Sequence, residues 1–105
     1  ILFTKYGYPW LDAMAKSGVD GLGLDWTVDL KAARAQVGPN ITLQGNLDPT
    51  LLLGNTHEID QAILAWCKTV GNQSRYILNL GHGLLPPTPP ENLAHLLETF
   101  CAYYG

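Results

Sequence analysis

Residues 19–43 read VDGLGLDWTVDLKAARAQVGPNITL, and this stretch decides the fold. Val19 to Leu24 is apolar and glycine-rich and ends at Asp25, a short strand in which apolar and polar positions do not alternate. Asp29 to Val37 then carries Leu30, Ala33 and Val37 at three- and four-residue spacing, which puts them on one helical face, and Gly38 with Pro39 stops the helix. Ile41 to Leu43 begins the next strand. A strand that is apolar throughout fits a parallel sheet covered on at least one face by the helices that connect its strands.

The same unit recurs on both sides. Upstream, Ile1 to Phe3 is a short apolar run, Lys5-Tyr6-Gly7 a loop, and Pro9 to Ser17 a helix with Leu11, Met14 and Ala15 on one face, closed by Gly18. Downstream, Gln44 to Pro49 opens a longer loop. Asn55 with Glu58 three residues later is an N-terminal capping arrangement, and Ile59, Ile63, Trp66 and Val70 continue a helical stripe to Gly71. Tyr76 to Leu80 is the fourth strand, ending in Gly81-His82-Gly83. After a proline-rich connection, Thr88 and Glu91 have the spacing of a capping box with Pro89 at the first helical position. Leu93, Leu96, Leu97, Phe100, Cys101 and Tyr104 make the last helix amphipathic. Four strand–helix units result. Such units build either an open doubly wound sheet or a closed eight-fold barrel; a complete barrel needs roughly 250 residues, so four units are about half of one.

Composition narrows the function classes. Of 105 residues, 47% are apolar and 14% charged, which excludes a disordered chain. The net charge of -3, without a basic patch, removes the electrostatic footprint of a nucleic-acid binder. No apolar run approaches the ~18–20 residues of a membrane span, and no signal-peptide pattern opens the chain. Cys67 and Cys101 lack C-x-x-C spacing and have no nearby base or cation, so both read as buried small hydrophobes and neither as a zinc ligand. We therefore expect a soluble protein in a reducing, cytoplasmic compartment. The chain opens at Ile1 inside an apolar run and without methionine, so a fragment of a longer domain is expected. No G-x-G-x-x-G follows the first strand, no Walker lysine is present, and Gly21-Leu22-Gly23 lies inside a strand, which argues against a nucleotide site.

In parallel β/α proteins ligands bind at the carboxyl ends of the strands. That rim collects Lys5 after the first strand, Asp25 and Trp26 after the second, Gln44, Asn46 and Asp48 after the third, and Asn79 and His82 after the fourth. His82 is the sharpest candidate, because flanking glycines allow close backbone approach to a ligand; the competing reading is a plain turn with the imidazole bonded to a neighbouring carbonyl. Asp25 and Asp48 read as loop braces ahead of direct chemistry. Lys5 fits an acidic ligand group and a loop cap equally. Trp66 reads as core and Trp26 stays open between platform and core. His57 and His95, at or on helices, read as solvated or locally satisfied.

Three strings on these strand ends resemble the uroporphyrinogen decarboxylase family in its C-terminal part. They are Gly23-Leu24-Asp25-Trp26-Thr27-Val28, Gln44-Gly45-Asn46-Leu47-Asp48-Pro49, and Asn79-Leu80-Gly81-His82-Gly83-Leu84 followed by Thr88-Pro89-Pro90-Glu91. Ile1-Leu2-Phe3-Thr4-Lys5 is similar as well, so the resemblance covers essentially the whole chain. It implies a (β/α)8 barrel of the TIM type, with this chain carrying about the last four β/α units as the C-terminal portion (residues 1–105) of one barrel domain. It also implies a carboxy-lyase of haem and chlorophyll biosynthesis, homodimeric when complete. That enzyme removes carboxyl groups from the acetate side chains of uroporphyrinogen III to give coproporphyrinogen III, with no cofactor and no metal. Protonating a pyrrole carbon makes the ring the electron sink, so the enzyme supplies a proton donor, grips a polyanion and stabilises a cation. His82 matches the family histidine that lines the cleft, and the resemblance assigns it both substrate binding and a catalytic role in proton transfer. The family's catalytic aspartate and substrate-binding arginines belong to its N-terminal part, which has no counterpart here. Arg34 and Arg75 lie on the wrong rim to replace those arginines. The isolated 105 residues are therefore expected to be inactive, and a half-barrel with open strand edges to associate.

Two other classes compete. A corrinoid-dependent methyltransferase shares the fold but needs histidine and cysteine zinc ligands at the barrel mouth, and no thiol stands at the end of the fourth strand. A non-catalytic β/α scaffold would keep the same strings as folding determinants, but has no need of an imidazole on the open rim.

Overall fold

Strands β1 (Leu2–Phe3), β2 (Gly21–Gly23), β3 (Thr42–Gln44) and β4 (Tyr76–Ile77) pair side by side in chain order, all parallel. The computed structural model describes residues 1–73 and 75–105. They form two units, Ile1–Asp48 with Gln73–His82, and Pro49–Asn72 with Gly83–Gly105. The first holds the sheet.

The sheet register follows the apolar pattern. Leu2, Leu22, Leu43 and Tyr76 stand in one row across the strands, with Leu22 and Leu43 fully buried. The adjacent row is Phe3, Gly23, Gln44 and Ile77, in which Phe3 and Ile77 remain exposed. Helix α1 (Leu11–Ala15) buries Leu11 and Met14, and α2 (Leu30–Val37) buries Leu30 and Ala33. Asp29, which the sequence reading counts inside the helix, caps α2 by accepting from the Ala32 N–H at 2.9 Å, and Gly38, at φ 83°, ends it as the sequence predicts. In the second unit α3 (Thr56–Val70) is capped by Asn55, which accepts from Glu58 N–H at 2.9 Å, and buries Ile59, Ile63, Trp66 and Val70. It packs on α4 (Pro90–Tyr104). His95 Nε2 and Thr99 Oγ1 of α4 both donate to Asp60 Oδ1 of α3, at 2.7 and 2.9 Å.

Several sequence-based boundaries move. The first helix begins as a 3-10 turn over Tyr8–Trp10 and ends at Ala15, where Ser17 Oγ and N–H both turn back to the Met14 carbonyl. The second strand is Gly21–Gly23, with Leu24 N–H still donating to Gln44 O. Regular pairing of the fourth strand stops at Ile77. Asn79 Oδ1 takes the Leu80 N–H, and Leu80 rejoins the sheet only as an isolated bridge to Leu47. The expected loop after Pro49 contains a 3-10 turn, Pro49–Leu53, that buries Leu52. The capping box at Thr88 does not form. Helix α4 starts at Pro90, its cap residue Pro89 makes no side-chain bond, and Thr88 Oγ1 is buried without a partner among the described residues. A residue before proline is held extended, and the helix start at Pro90 puts Pro89, which has no side-chain acceptor, at the cap position in place of Thr88. Cys101 is exposed, against the expectation of burial, while Cys67 is fully buried. Of α4, Leu96 is buried.

Arg34 pins the amino ends of β3 and β4. Its guanidinium donates to Gly38 O, Ile41 O, Arg75 O and the Tyr76 hydroxyl at 2.9, 2.5, 2.8 and 3.1 Å, and lies over the Tyr76 ring. It is thus occupied at the rim opposite the strand carboxyl ends. Arg34→Ala is expected to cost about 2–3 kcal/mol, read as a lower urea midpoint at unchanged slope; a loss under about 1 kcal/mol would contradict this role.

Candidate functional site

Parallel pairing puts every strand's carboxyl end on one edge, and Lys5, Asp25, Asn46 and Asn79 each stand two residues beyond their strand. The centre of this rim is Asp25, only 1% exposed. Its Oδ1 accepts from the Thr27 N–H at 2.9 Å and the Thr27 hydroxyl at 2.5 Å, and its Oδ2 accepts from the Tyr6 N–H. Burial pushes the carboxyl pKa up, but the Thr27 hydroxyl, the Tyr6 and Thr27 N–H groups and the charge of Lys5 together outweigh it. The group is therefore held below its ordinary value. Asp25 is a brace, in line with the sequence reading, because every donor it meets is structural.

The brace fixes neighbours in an unusual conformation. Tyr6 lies in the left-handed region at φ 55°, rare for a bulky residue, and the bond from its N–H to Asp25 holds it there. From β3, Asn46 Nδ2 donates to Asp25 O at 2.9 Å and to Val28 O. Asn46 follows a cis Gly45–Asn46 peptide. Gly45 sits at φ 130°, and a Cβ there would lie 2.7 Å from Leu24 O. From the end of β4, Gly81 N–H donates to Leu47 O at 2.7 Å, and Gly81 packs so closely that a Cβ would fall 2.7 Å from the Asp25 carbonyl carbon. Only glycine fits at either place.

On this floor stand the side chains with chemistry to offer. His82 is exposed and makes no hydrogen bond among the described residues; its ring meets Trp26 edge-on, with centroids 5.8 Å apart and planes at 84°. The alternative of an imidazole tied to a neighbouring carbonyl is not what the structure shows. Trp26 also meets Tyr6 edge-on at 5.9 Å. Lys5 Nζ lies 5.3 Å from the Tyr6 ring centroid and 5.8 Å from that of Trp26. The rim thus brings together Lys5, Tyr6, Trp26 and His82 over Asp25 and Asn46. Asp48 lies beyond Leu47 and is exposed. His57 and His95 fall in the second unit, His95 on Asp60. Sequence reasoning missed Tyr6, which it left in a loop; its place directly after Lys5 at a strand's carboxyl end was the available signal. Among the described residues no three His, Cys, Asp or Glu side chains are grouped to hold a metal ion, and no helix is long and apolar enough to cross a membrane.

The strings that build this rim are also those a family model describes: the model for Uroporphyrinogen decarboxylase (URO-D) matches residues 1–103. The chain belongs to the uroporphyrinogen decarboxylase family. It is 50% identical over 98 residues to a uroporphyrinogen decarboxylase of Coxiella burnetii, covering 93% of this chain and 27% of that protein. A Legionella pneumophila protein of the same name is 48% identical over 98 residues, covering 93% and 28%. One from Idiomarina loihiensis is 44% identical over 102 residues, covering 97% and 28%. The chain thus spans little more than a quarter of the length of these relatives. Among solved structures, a methyltransferase from Methanosarcina mazei superposes with a TM-score of 0.76 at 28% identity, covering 92% of this chain and 28% of that one. The fold is of the TIM-barrel type, and this chain carries about four of its β/α units.

The depressed Asp25 carboxyl links the rim to acid stability. Its folded pKa lies below the ordinary 3.8, so its contribution is complete above that value and is lost as pH falls through the folded one. Asp25→Asn, which turns an NH2 group or a weaker acceptor toward three donors, is expected to cost about 2–3 kcal/mol at neutral pH. It should also flatten the acid limb of the stability curve below about pH 4, measured by urea unfolding across pH. A variant as stable as the parent at neutral pH, with an unchanged acid limb, would refute the brace.

Proposed function

We propose that the whole protein, of which residues 1–105 are the C-terminal barrel portion, is a uroporphyrinogen decarboxylase. It removes carboxyl groups from the acetate side chains of uroporphyrinogen III to give coproporphyrinogen III in the cytoplasm, as a homodimer and without a cofactor. The observation that carries this reading is the rim itself. An exposed imidazole and an exposed ammonium stand beside two aromatic rings at the strand carboxyl ends, while the one carboxylate beneath them is buried and saturated. Such a surface suits a ring-bearing polyanion. The 44–50% identity to proteins of that name supports the same assignment.

In the proposed reaction a proton adds to a ring carbon of the pyrrole, giving a cation conjugated to the acetate-bearing carbon. The bond between the acetate methylene and its carboxylate then breaks, its electron pair flows into the ring, and carbon dioxide leaves. A proton delivered to the exocyclic carbon forms the methyl group, and loss of the added ring proton restores the pyrrole. His82 holds substrate and assists one of these proton transfers, for which its free imidazole nitrogens are suited. The catalytic aspartate and the arginines that the family supplies lie outside these 105 residues, so the isolated chain is proposed to be inactive.

The Methanosarcina mazei methyltransferase favours a second reading, methyl transfer on the same fold. Stoichiometric zinc in the purified full-length protein, without decarboxylation, would decide for it.

An anaerobic assay on the full-length protein, with products separated by carboxyl number, tests the first reading. His82→Ala is expected to reduce turnover by about 100-fold while circular dichroism stays unchanged; turnover within about threefold of the parent would remove His82 from the reaction. The 105-residue chain alone should release no carbon dioxide, and measurable turnover by it would contradict the proposal.

A further inference from the structure

The decarboxylase reading uses the Lys5 ammonium only as part of a general anion-attracting surface, yet Lys5, which follows the edge strand β1, has contacts of its own. Its side chain is exposed and makes no ion pair among the described residues. The nearby carboxylate that could neutralise it, Asp25, is buried and already accepts from three donors. Instead Nζ lies over two aromatic rings, Tyr6 and Trp26, which face each other edge-on. The bond from the Tyr6 N–H to Asp25 holds Tyr6 in its left-handed conformation, and the exposed cation–π contact adds only about 0.5–1 kcal/mol. The strained backbone turns the Tyr6 ring toward Lys5 and Trp26, and together the three form a cationic point walled by flat apolar surface. His82 borders it across the other contact of Trp26.

We propose that Lys5, Tyr6 and Trp26 form a carboxylate subsite for the tetrapyrrole. The Lys5 ammonium takes a carboxylate of one pyrrole side chain, and the Tyr6 and Trp26 rings pack against the pyrrole that bears it. This rests on the decarboxylase reading and adds to it a residue that positions the substrate beside His82. A compact ammonium suits a carboxylate that must be released after each turnover, because it binds as a point charge without the two-bond fork of an arginine. The carboxylate it receives is either an acetate, which the reaction consumes, or a propionate, which it leaves in place.

Lys5→Gln and Lys5→Arg in the full-length protein separate these outcomes under anaerobic conditions. Lys5→Gln is expected to raise KM for uroporphyrinogen III about 10-fold with kcat changed far less, and Lys5→Arg to recover most of that loss. Equilibrium binding of coproporphyrinogen III, which keeps the propionates and has lost the acetates, identifies the group. If Lys5 holds a propionate, Lys5→Gln weakens this binding as well; if it holds an acetate, only KM rises. Unchanged KM and unchanged binding in Lys5→Gln, beside an active parent, would overturn the subsite. So would a drop in thermal midpoint with KM unaltered, the result of a merely structural cation–π contact. A parent that neither turns over uroporphyrinogen III nor binds coproporphyrinogen III would instead sink the decarboxylase reading, and the subsite with it.

Discussion

Everything on the rim depends on one buried carboxylate. Asp25 is only 1% exposed, and an ionised group in that position is tolerable only because its oxygens are satisfied by donors fixed in the backbone and in Thr27. Those donors belong to two strand ends, since Tyr6 follows β1 and Thr27 follows β2. The backbone around Asp25 then serves the other two. Its carbonyl receives Asn46 from the end of β3, and its junction with Trp26 receives Gly81 from the end of β4. One residue therefore locks the exits of four strands, each within reach of the others only because the pairing is parallel and in register.

The sequence made the repeating frame legible because its signals are local. Asp29 and Gly38 bracket α2, Asn55 and Gly71 bracket α3, and each cap acts on a residue three or four positions away. The strand-end rule likewise puts Lys5, Trp26, Asn46 and His82 on one rim. What escaped was non-local. The turn of Tyr6 into the left-handed region is imposed by a carboxylate 19 residues away, and nothing in Lys5-Tyr6-Gly7 signals it. Tyr76 to Leu80 is apolar enough to read as one continuous strand, whereas Asn79 diverts the Leu80 N–H to its own side chain. Thr88 shows the reverse error, a local pattern that two prolines override. Cys101 shows a third, in which helical periodicity places a residue on an apolar stripe without fixing that it is covered.

Electrostatics give the rim a polarity that the net charge of the chain conceals. The molecule is acidic overall, at -3, but the carboxylate nearest the ring cluster is withdrawn from solvent and hydrogen-bonded to fixed N–H and O–H groups. Lys5 and His82 remain outward. A surface of this kind attracts anions without having to break an ion pair first, because among the described residues Lys5 makes none. The opposite rim is arranged otherwise: Arg34 spends its donors on Gly38, Ile41, Arg75 and Tyr76, and is bound into the fold.

That contrast separates what the fold requires from what chemistry requires. Asp25, Asn46, Gly45 and Gly81 each satisfy a buried group or permit a close backbone approach, so any protein with these strand exits would need something in their place. Lys5 and His82 do neither. Both are exposed, and among the described residues neither makes a hydrogen bond, so folding alone places no demand on an ammonium or an imidazole there. A methyltransferase can therefore share the backbone at a TM-score of 0.76 while its reaction differs from that named for the nearer relatives, since a barrel rim fixes where side chains stand and not what they are. The residues that choose between those chemistries are the ones the fold leaves free, and on this rim they are a lysine and a histidine on either side of a tryptophan.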